Sequence, residues 1–336
     1  MEQALRQDLR PILCGRDDVR LKAQADSLGL DRRTISLDDS KALDVALREV
    51  SLVLNCAGPF QHTYKPIMEA CLRTGRHYLD ITGEIGVFEA IAAQDAVARK
   101  AGIMLLPGIG FDIVPSDCLA AHLKLRLPEA THLTLAIGGL GGGISRGTLL
   151  TSIEGLSGKG VVRKEGKIVQ VPLLWKTRQI DFGKGLRTAV NFPSGDVSTA
   201  YYSTGIQNIE FYMVLPRSVL RMAPIIRLIG GLAQNKLIHR LLRKQVMKMS
   251  PGPTVEQRQQ ARVRLWGEAI DDFGRHAVSR LETPNGYDVT VETALRAVER
   301  VLRGDFKAGF QTPSMAFGAD FILEFEGVHR EDLELK

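Results

Sequence analysis

The sequence predicts an α/β protein in which a doubly wound parallel sheet is followed by a second, α+β domain. From Met1 to about Leu127, short apolar runs alternate with amphipathic helical segments, a pattern typical of a parallel sheet with helices on both faces. From about Ala130 the pattern changes to longer strands and hairpins with few helices. The chain has 336 residues and 44% apolar content, enough for two hydrophobic cores. We therefore predict one domain over residues 1–127 and a second over residues 128–304.

The elements of the first domain follow from hydrophobic periodicity. The predicted strands are Pro11–Cys14, Thr34–Leu37, Leu52–Cys56, His77–Ile81 and Ile103–Leu106. The predicted helices are Asp17–Leu28, Ser40–Val50, Lys65–Thr74 and Gly86–Ala101. In the second domain we predict strands at Thr131–Ile137, Arg178–Phe182, Ile209–Val214, Arg262–Ile270 and Arg275–Glu282, with a turn at Lys164–Lys167.

The first strand of the parallel sheet is expected to be missing. In a Rossmann-like fold that strand ends in a glycine-rich turn, which seats a pyrophosphate on a helix N-terminus. No such turn precedes Arg10–Arg16, and Met1–Gln7 has the pattern of a helix tail. In the strand order 3-2-1-4, the missing strand would leave a gap of roughly 10 Å between Pro11–Cys14 and Leu52–Cys56. We expect marginal stability, direct pairing of the two flanking strands, or a strand borrowed from another chain.

Composition narrows the class of function. The net charge of +6 suits an anionic cofactor or an acidic membrane surface, and no recognised nucleic-acid module is present. The four cysteines form no Cys-x-x-Cys pair, and the seven histidines show no metal-ligand spacing, so we expect no metal site. Without a signal peptide or a long uncharged span, a reducing cytoplasm is the simplest location.

A cofactor site is predicted where the parallel strands end, since open α/β sheets bind ligands at that edge. Arg16 follows the second strand, where an Arg accommodates the 2′-phosphate of NADP; a solvated surface role is the alternative. Small residues after the strand at 52–56 permit close approach of backbone to a ligand, although a tight turn needs them too. The predicted cofactor-binding residues are Arg16, Asn55, Ala57, Gly58, Pro59, Thr82, Gly83 and Glu84.

Three residues are candidate catalytic groups that could polarise the hydride acceptor, namely Tyr64, Ser145 and Tyr201. Ser145 lies in the glycine-rich run Gly138–Thr148, which leads from a strand into an apparent helix. Its amides could hold an anion or a carbonyl oxygen, and a flexible interdomain hinge is the rival interpretation.

Residues 215–249 form a basic amphipathic segment with eight Lys or Arg and no acidic residue. The charges argue against a transmembrane span. The segment suits contact with anionic lipid or with a partner, and a helix packed on the core is the alternative.

With these residues in place, the chain resembles the saccharopine dehydrogenase-like NADP-binding oxidoreductases, and among them the trans-acting enoyl reductase-like branch. The resemblance is carried by Asn55–Phe60, Tyr78–Glu84, Gly108–Asp117, Gly195–Tyr201, Ser203–Ile206, Arg264–Glu268 and Thr312–Gly318. It implies an NADP-dependent reductase in which a C-terminal segment, residues 305–336, returns to the first domain.

The expected activity is hydride transfer to a small or lipid-like substrate at a carbon–carbon or carbon–nitrogen double bond. The chemistry would be the cofactor's, while the protein supplies position, polarity and water exclusion. We also expect a homodimer and peripheral membrane contact through residues 215–249. The alternative function is a non-catalytic scaffold that binds a membrane or a partner and has lost its cofactor turn.

Overall fold

The computed structural model describes residues 1–138, 159–216, 220–221, 244, 247 and 254–333. Its strands are β1 (Leu13–Gly15), β2 (Arg32–Thr34), β3 (Leu52–Asn55), β4 (His77–Asp80), β5 (Met104–Leu106), β6 (His132–Ile137), β7 (Lys159–Lys164), β8 (Lys167–Pro172), β9 (Thr177–Asp181), β10 (Leu186–Asn191), β11 (Asn208–Met213), β12 (Val263–Ile270), β13 (His276–Thr283), β14 (Gly309–Phe310) and β15 (His329–Asp332). Its helices are α1 (Glu2–Arg6), α2 (Asp18–Leu28), α3 (Ser40–Leu47), α4 (Phe60–Thr74), α5 (Ile85–Ala92), α6 (Asp95–Ala101), α7 (Val114–Arg126), α8 (Asp196–Thr204), α9 (Val255–Gln260), α10 (Gly286–Leu302) and α11 (Pro313–Phe317).

The described strands form three sheets, and the combination of a parallel sheet with helices confirms the predicted α/β class. Strands β3, β4, β5 and β14 make a parallel sheet in the order β14-β5-β4-β3. Nine strands form the larger, mainly antiparallel sheet, along the path β15-β13-β12-β6-β11-β10-β9 with the β7–β8 hairpin attached to β11. The pairing of β6 with β11 is parallel, so this second sheet is mixed.

The predicted break in the parallel sheet is present. Strand β1 pairs in parallel with β2, and these two strands form a sheet of their own. Among the described residues, β1 and β3 do not pair with each other, so the expectation that the flanking strands close the gap directly is wrong. Each of the two strands pairs on one side, β1 with β2 and β3 with β4.

Three element boundaries differ from the sequence-based prediction. Helix α4 begins at Phe60 rather than at Lys65, because a side chain from another loop caps it, as described below. The single helix predicted over Gly86–Ala101 is two helices, α5 and α6, separated at Ala93–Gln94. Strand β2 ends at Thr34, and the following Ile35 and Leu37 pack on a hydrophobic core cluster instead of extending the strand.

The C-terminal segment contributes one strand to the parallel sheet and one to the larger sheet. Strand β14 adds to β5 at the edge of the parallel sheet. Strand β15 then pairs with β13 in the larger sheet, so only part of the segment joins the first domain. Helix α10 packs against β3 in the parallel sheet, and α7 packs on β12 and β13 in the larger sheet, so helices cover both sheets. One extensive core, which includes Leu106, Leu119, Leu135 and Leu265, joins them.

Candidate active site

The carboxyl ends of β3, β4 and β5 meet at a buried aspartate. Asp80, the last residue of β4, is fully buried. One carboxylate oxygen accepts the backbone N–H groups of Thr82 and Gly108, each at 2.9 Å, and the other accepts the Tyr78 hydroxyl at 2.7 Å. Since Gly108 follows β5, this one side chain ties the loops of two neighbouring strands together.

Asn55 extends the network to the end of β3. Its Nδ2 donates to the hydroxyl oxygens of Thr63 at 3.2 Å and Tyr78 at 3.3 Å, while its Oδ1 accepts the amide of Ala57 at 3.0 Å. The Thr63 hydroxyl in turn donates to the carbonyl of Ala57 at 2.6 Å. The Asn55 side chain, predicted to bind the cofactor, is thus spent on shaping the loop that carries Ala57 and the cis Gly58–Pro59 bond.

Glu84 caps helix α4. The N-cap position is Pro59, which offers no side-chain acceptor. Glu84, from the loop after β4, accepts the first two helical amides, Phe60 N–H at 2.7 Å and Gln61 N–H at 2.9 Å. Because the carboxylate occupies this helix N-terminus, the same terminus is not free for a cofactor phosphate. The cofactor contact of Glu84 stays a prediction.

Burial has the largest effect on the pKa values of Asp80 and Tyr78. Desolvation raises the pKa of Asp80 to about 6, against the opposing effect of the Thr82 and Gly108 amides and the Tyr78 hydroxyl. The same effect raises the pKa of Tyr78 well above its usual value, with the negative charge of Asp80 adding to it. Burial thus favours the neutral forms of both Asp80 and Tyr78.

The second domain closes the site through the turn before α8. A Cβ placed on Gly195 would lie 2.8 Å from the carbonyl oxygen of Gly83 and 2.6 Å from the Phe88 ring, so only glycine permits this approach. The next residue, Asp196, is fully buried and accepts the Ser194 hydroxyl. Desolvation raises the pKa of Asp196 to about 7, with Ser116 and Ser194 opposing.

Asp112 is the carboxylate that stays open to the crevice. It is exposed to solvent and makes no hydrogen bond with another described residue. A Cβ on Gly83 would lie 3.3 Å from Asp112 Oδ2, so this carboxylate stands directly beside the loop that follows β4. The protein mass around the crevice still raises the pKa of Asp112 by desolvation.

Two of the three predicted catalytic residues, Tyr64 and Tyr201, lie among the described residues. Tyr64 is half-buried on α4, where it packs on the core cluster of Leu43, Ile67 and their neighbours. Tyr201 stacks under the Arg163 guanidinium, with 4.1 Å from its Cζ to the ring centroid. Ser145 lies outside the described residues, as do most of the glycine-rich run and of the basic segment. Assignment of these three as catalysts stays a prediction.

Arg16 directly follows β1 and is exposed. It forms no ion pair within the described part of the chain, whereas the nearby Arg32 and Arg33 pair with Asp18 and Glu49. An exposed guanidinium without a protein partner at this position is available to a phosphate. Its role in cofactor binding also stays a prediction.

A buried ion pair joins the two domains behind the crevice. Arg163, on β7, is 4% exposed and bonds to Glu89 on α5 and to the carbonyls of Val197 and Gly166, each at 2.7 Å. Glu89 also accepts the hydroxyls of Ser198 at 2.6 Å and Tyr202 at 3.0 Å. These contacts between α5, β7 and α8 fix the second domain against the first.

Comparison with known proteins identifies what the first domain resembles. Residues 2–106 match the family model described as the saccharopine dehydrogenase NADP binding domain. This match confirms the resemblance expected from the sequence, and it spans fewer than half of the 336 residues.

Curated relatives match over part of their length. The saccharopine dehydrogenase-like oxidoreductase of Mus musculus is 29% identical over 134 residues, which cover 38% of this chain and 31% of that protein. The trans-acting enoyl reductase of Mycobacterium ulcerans is 31% identical over 36% of this chain and 30% of that protein. The lipid droplet localized protein of Caenorhabditis elegans is 27% identical over 56% of this chain and 48% of that protein. The chain thus matches between about a third and a half of each relative.

The fold extends the likeness to the whole chain. Apo saccharopine dehydrogenase (L-Glu forming) from Saccharomyces cerevisiae superposes with a TM-score of 0.65 at 13% identity, covering 97% of this chain and 95% of that one. This similarity shows a shared Rossmann-type fold.

Membrane-spanning helices and metal-binding clusters are both absent from the described residues. No helix among them is long and apolar enough to cross a membrane. No group of three or more His, Cys, Asp or Glu side chains among them is arranged to hold a metal ion.

The sequence-based reasoning missed Asp80, Asp112, Asp196 and the Glu89–Arg163 pair. Asp80 carried a signal, because it is a charged residue that ends an otherwise apolar strand. Asp112 carried one too, since it is a charged residue in the otherwise uncharged loop that follows β5. Glu89 and Arg163 carried none, because they lie 74 positions apart and meet only through the tertiary fold.

Proposed function

We propose that this protein is an NADPH-dependent oxidoreductase that delivers hydride to a carbon–carbon or carbon–nitrogen double bond of a small or lipid-like substrate. The observation that carries the proposal is the crevice at the carboxyl edge of β3, β4 and β5. There an NADP-binding-type domain meets a second domain and leaves one carboxylate, Asp112, accessible and unpaired. Open α/β sheets bind ligands at that edge.

The residues present fit the 2′-phosphate and the nicotinamide half of a dinucleotide. Ala57 and Gly58 expose their backbone after β3, and a Cβ on Gly58 would meet only the Phe60 ring, at 3.6 Å, so the loop is open to a ligand. Arg16 offers an unpaired guanidinium for a 2′-phosphate. When bound, the nicotinamide supplies the hydride. Ala57, Gly58 and Gly83 would line its ribose and ring, while Asn55 and Asp80 hold these loops in place.

Asp112 is the group that we assign to proton transfer. Desolvation raises the pKa of Asp112, which is the direction that favours the protonated form of a general acid. The acid would protonate the atom of the acceptor that gains electron density, while the close contact of Gly195 with Gly83 keeps water from the back of the crevice.

Calorimetric titration with NADPH and NADH tests cofactor preference. We expect tighter binding of NADPH, and we expect Arg16→Ala to remove the preference while leaving NADH affinity unchanged. The exposed Arg20→Ala is the matched control, since Arg20 pairs only with Asp17 at the surface. Tighter binding of NADH by the unaltered protein would overturn the assignment to NADP.

Activity against enones, enoyl thioesters and imines, followed as NADPH oxidation, tests the reaction class. Asp112→Asn should lower kcat by about 100-fold or more with cofactor affinity kept, as for loss of a general acid. Asp26→Asn, at an exposed position on α2, is the control. Full activity of Asp112→Asn would refute its role, and no turnover with any acceptor despite NADPH binding would favour the scaffold alternative.

We further propose peripheral contact with anionic lipid through residues 215–249. The charge pattern of this segment and the name of the Caenorhabditis elegans relative support the proposal. Sedimentation with anionic and neutral vesicles should show binding to the anionic ones alone, weakening as salt rises. Changing Lys236, Arg240, Arg243 and Lys244 to Gln should abolish it, and equal binding by that variant would exclude the segment.

A further inference from the structure

Strand β8 forms an open edge. Among the described strands it pairs only with β7, through the hairpin that turns at Glu165–Gly166. Ile168 is 36% exposed and Val169 is 37% exposed. Because successive side chains of a strand point to opposite faces, exposure of these two neighbours means that both faces of β8 reach solvent.

Composition sets this edge apart from other edges of the described sheets. Edge strands discourage pairing with other chains when they carry charge. Strand β2 contains Arg32 and Arg33, β9 contains Arg178 and Asp181, and β15 ends in Arg330-Glu331-Asp332. In β8, the four consecutive residues Ile168–Val171 carry no charge. This stretch of the edge therefore lacks the charge that β2, β9 and β15 carry.

The hairpin fixes which backbone groups of β8 point outward. Glu165 and Gly166 both have positive φ, 50° and 74°, as in a two-residue type I′ turn, so Lys164 and Lys167 form the hydrogen-bonded closing pair. Hydrogen-bonded and non-bonded pairs alternate along an antiparallel ladder. Val169 thus bonds inward to Val162, while the amides and carbonyls of Ile168 and Gln170 face outward.

We propose that β8 pairs with β8 of a second copy of this chain, antiparallel, with the two-fold axis at Val169. Ile168 of each copy then exchanges backbone hydrogen bonds with Gln170 of the other. Lys167 lies opposite Val171 of the other copy, so no like charges face each other. In this register the outward amides and carbonyls of Ile168 and Gln170 are hydrogen-bonded in both strands. Association stops at two copies, because each copy uses the same surface.

Sedimentation velocity over about 1–100 µM protein measures the association, a range suited to an interface at the small end of the scale. We expect a monomer–dimer equilibrium. Val169→Lys and Val169→Glu should each raise the dimer Kd at least about 10-fold, because Cα atoms of a non-bonded pair lie only about 4.5 Å apart. An equimolar mixture of the two variants should associate again as a heterodimer, since opposite charges then meet at the axis.

Two further variants keep the test decisive. Leu186→Lys, at a 70% exposed position on β10, is the control and should dimerise like the unaltered protein. Gln170→Pro removes one outward amide and keeps the backbone pairing to β7, although it removes the side-chain hydrogen bond from Lys159, and it should also abolish the dimer. A monomer at all concentrations would overturn the proposal. So would a dimer insensitive to the Val169 variants, or a mixture that fails to associate although both variants show the unaltered melting temperature.

Discussion

The Glu89–Arg163 pair should be a principal energetic link between the two domains. Glu89→Ala removes an ionic partner from a guanidinium whose side chain is 3% exposed, together with the acceptor of the Ser198 and Tyr202 hydroxyls. Arg163 would keep its bonds to the Val197 and Gly166 carbonyls but would lose its counter-charge. A buried charge without its partner is the costly outcome.

The size of the effect follows from burial. Removing one partner of a buried pair costs about 3–5 kcal/mol, and the Glu89 side chain is 36% exposed, so we expect the lower end, about 3 kcal/mol. The double variant Glu89→Ala/Arg163→Ala should be more stable than the sum of the single effects by about 2 kcal/mol, because it leaves no charge behind. The expected cost of Glu89→Ala, about 3 kcal/mol, is a large fraction of a net stability of about 5–15 kcal/mol.

Urea unfolding followed by tryptophan fluorescence measures the free energies of unfolding. Glu299→Ala is the matched control, because Glu299 forms an exposed i,i+4 pair with Arg303 whose side chains are 30% and 72% exposed. That change should cost less than about 0.5 kcal/mol. If Glu89→Ala costs no more than the control, or if the two changes are simply additive, the pair is not the link that the geometry indicates.

Three further predictions concern the crevice. The folded pKa of Asp80, about 6, is above its unfolded value, so ionisation favours the unfolded chain. Relative to Asp80→Asn, the unaltered protein should therefore lose about 2–3 kcal/mol of unfolding free energy between pH 4 and 7, and a parallel pH dependence in urea titrations would contradict this. Gly195→Ala should cost about 1–3 kcal/mol in thermal or urea unfolding, since its Cβ meets Gly83 at 2.8 Å; Gly86→Ala, in open space, should be neutral, and equal effects would refute the steric argument. Glu84→Ala should speed amide exchange at Phe60 and Gln61 and cost about 1–2 kcal/mol, whereas unchanged exchange would mean that α4 is capped otherwise.

Local patterns were sufficient to predict most of the fold. The alternation of apolar runs and amphipathic segments predicted β3, β4 and β5 to within a residue or two, because buried parallel strands are continuous apolar stretches. The β7–β8 turn was predicted from Lys164-Glu-Gly-Lys167, because two-residue hairpin turns favour glycine. Helix α4 was predicted to begin five residues late, because its cap comes from Glu84, on a different loop. Long-range caps leave no trace in local sequence.

The roles of the candidate site residues were harder to predict than the fold, because some of these side chains hold the loops in place and others can meet a ligand. The loops after β3, β4 and β5 lie together at one edge of the sheet, as expected, but the sequence does not show which polar side chains bond to neighbouring protein groups. Asn55 and Thr82 satisfy neighbouring backbone groups, so their identity reflects loop geometry. Tyr64 and Tyr201 were chosen for their chemistry alone, and both pack on cores.

Hydrogen-bonding capacity separates the residues that build the crevice from those that can meet a ligand. Asp80 has both oxygens bonded and Glu84 caps a helix, so neither can change partner without loosening the loops that it holds. Asp112 and Arg16 are different, since both are exposed and neither has a bonding partner among the described residues. One is a carboxylate with a raised pKa beside Gly83, and the other is a cation after β1. A proton donor near the hydride acceptor and a phosphate contact remote from it are the two functions that an NADPH-dependent reductase must supply from side chains, and these two groups have the chemistry for them.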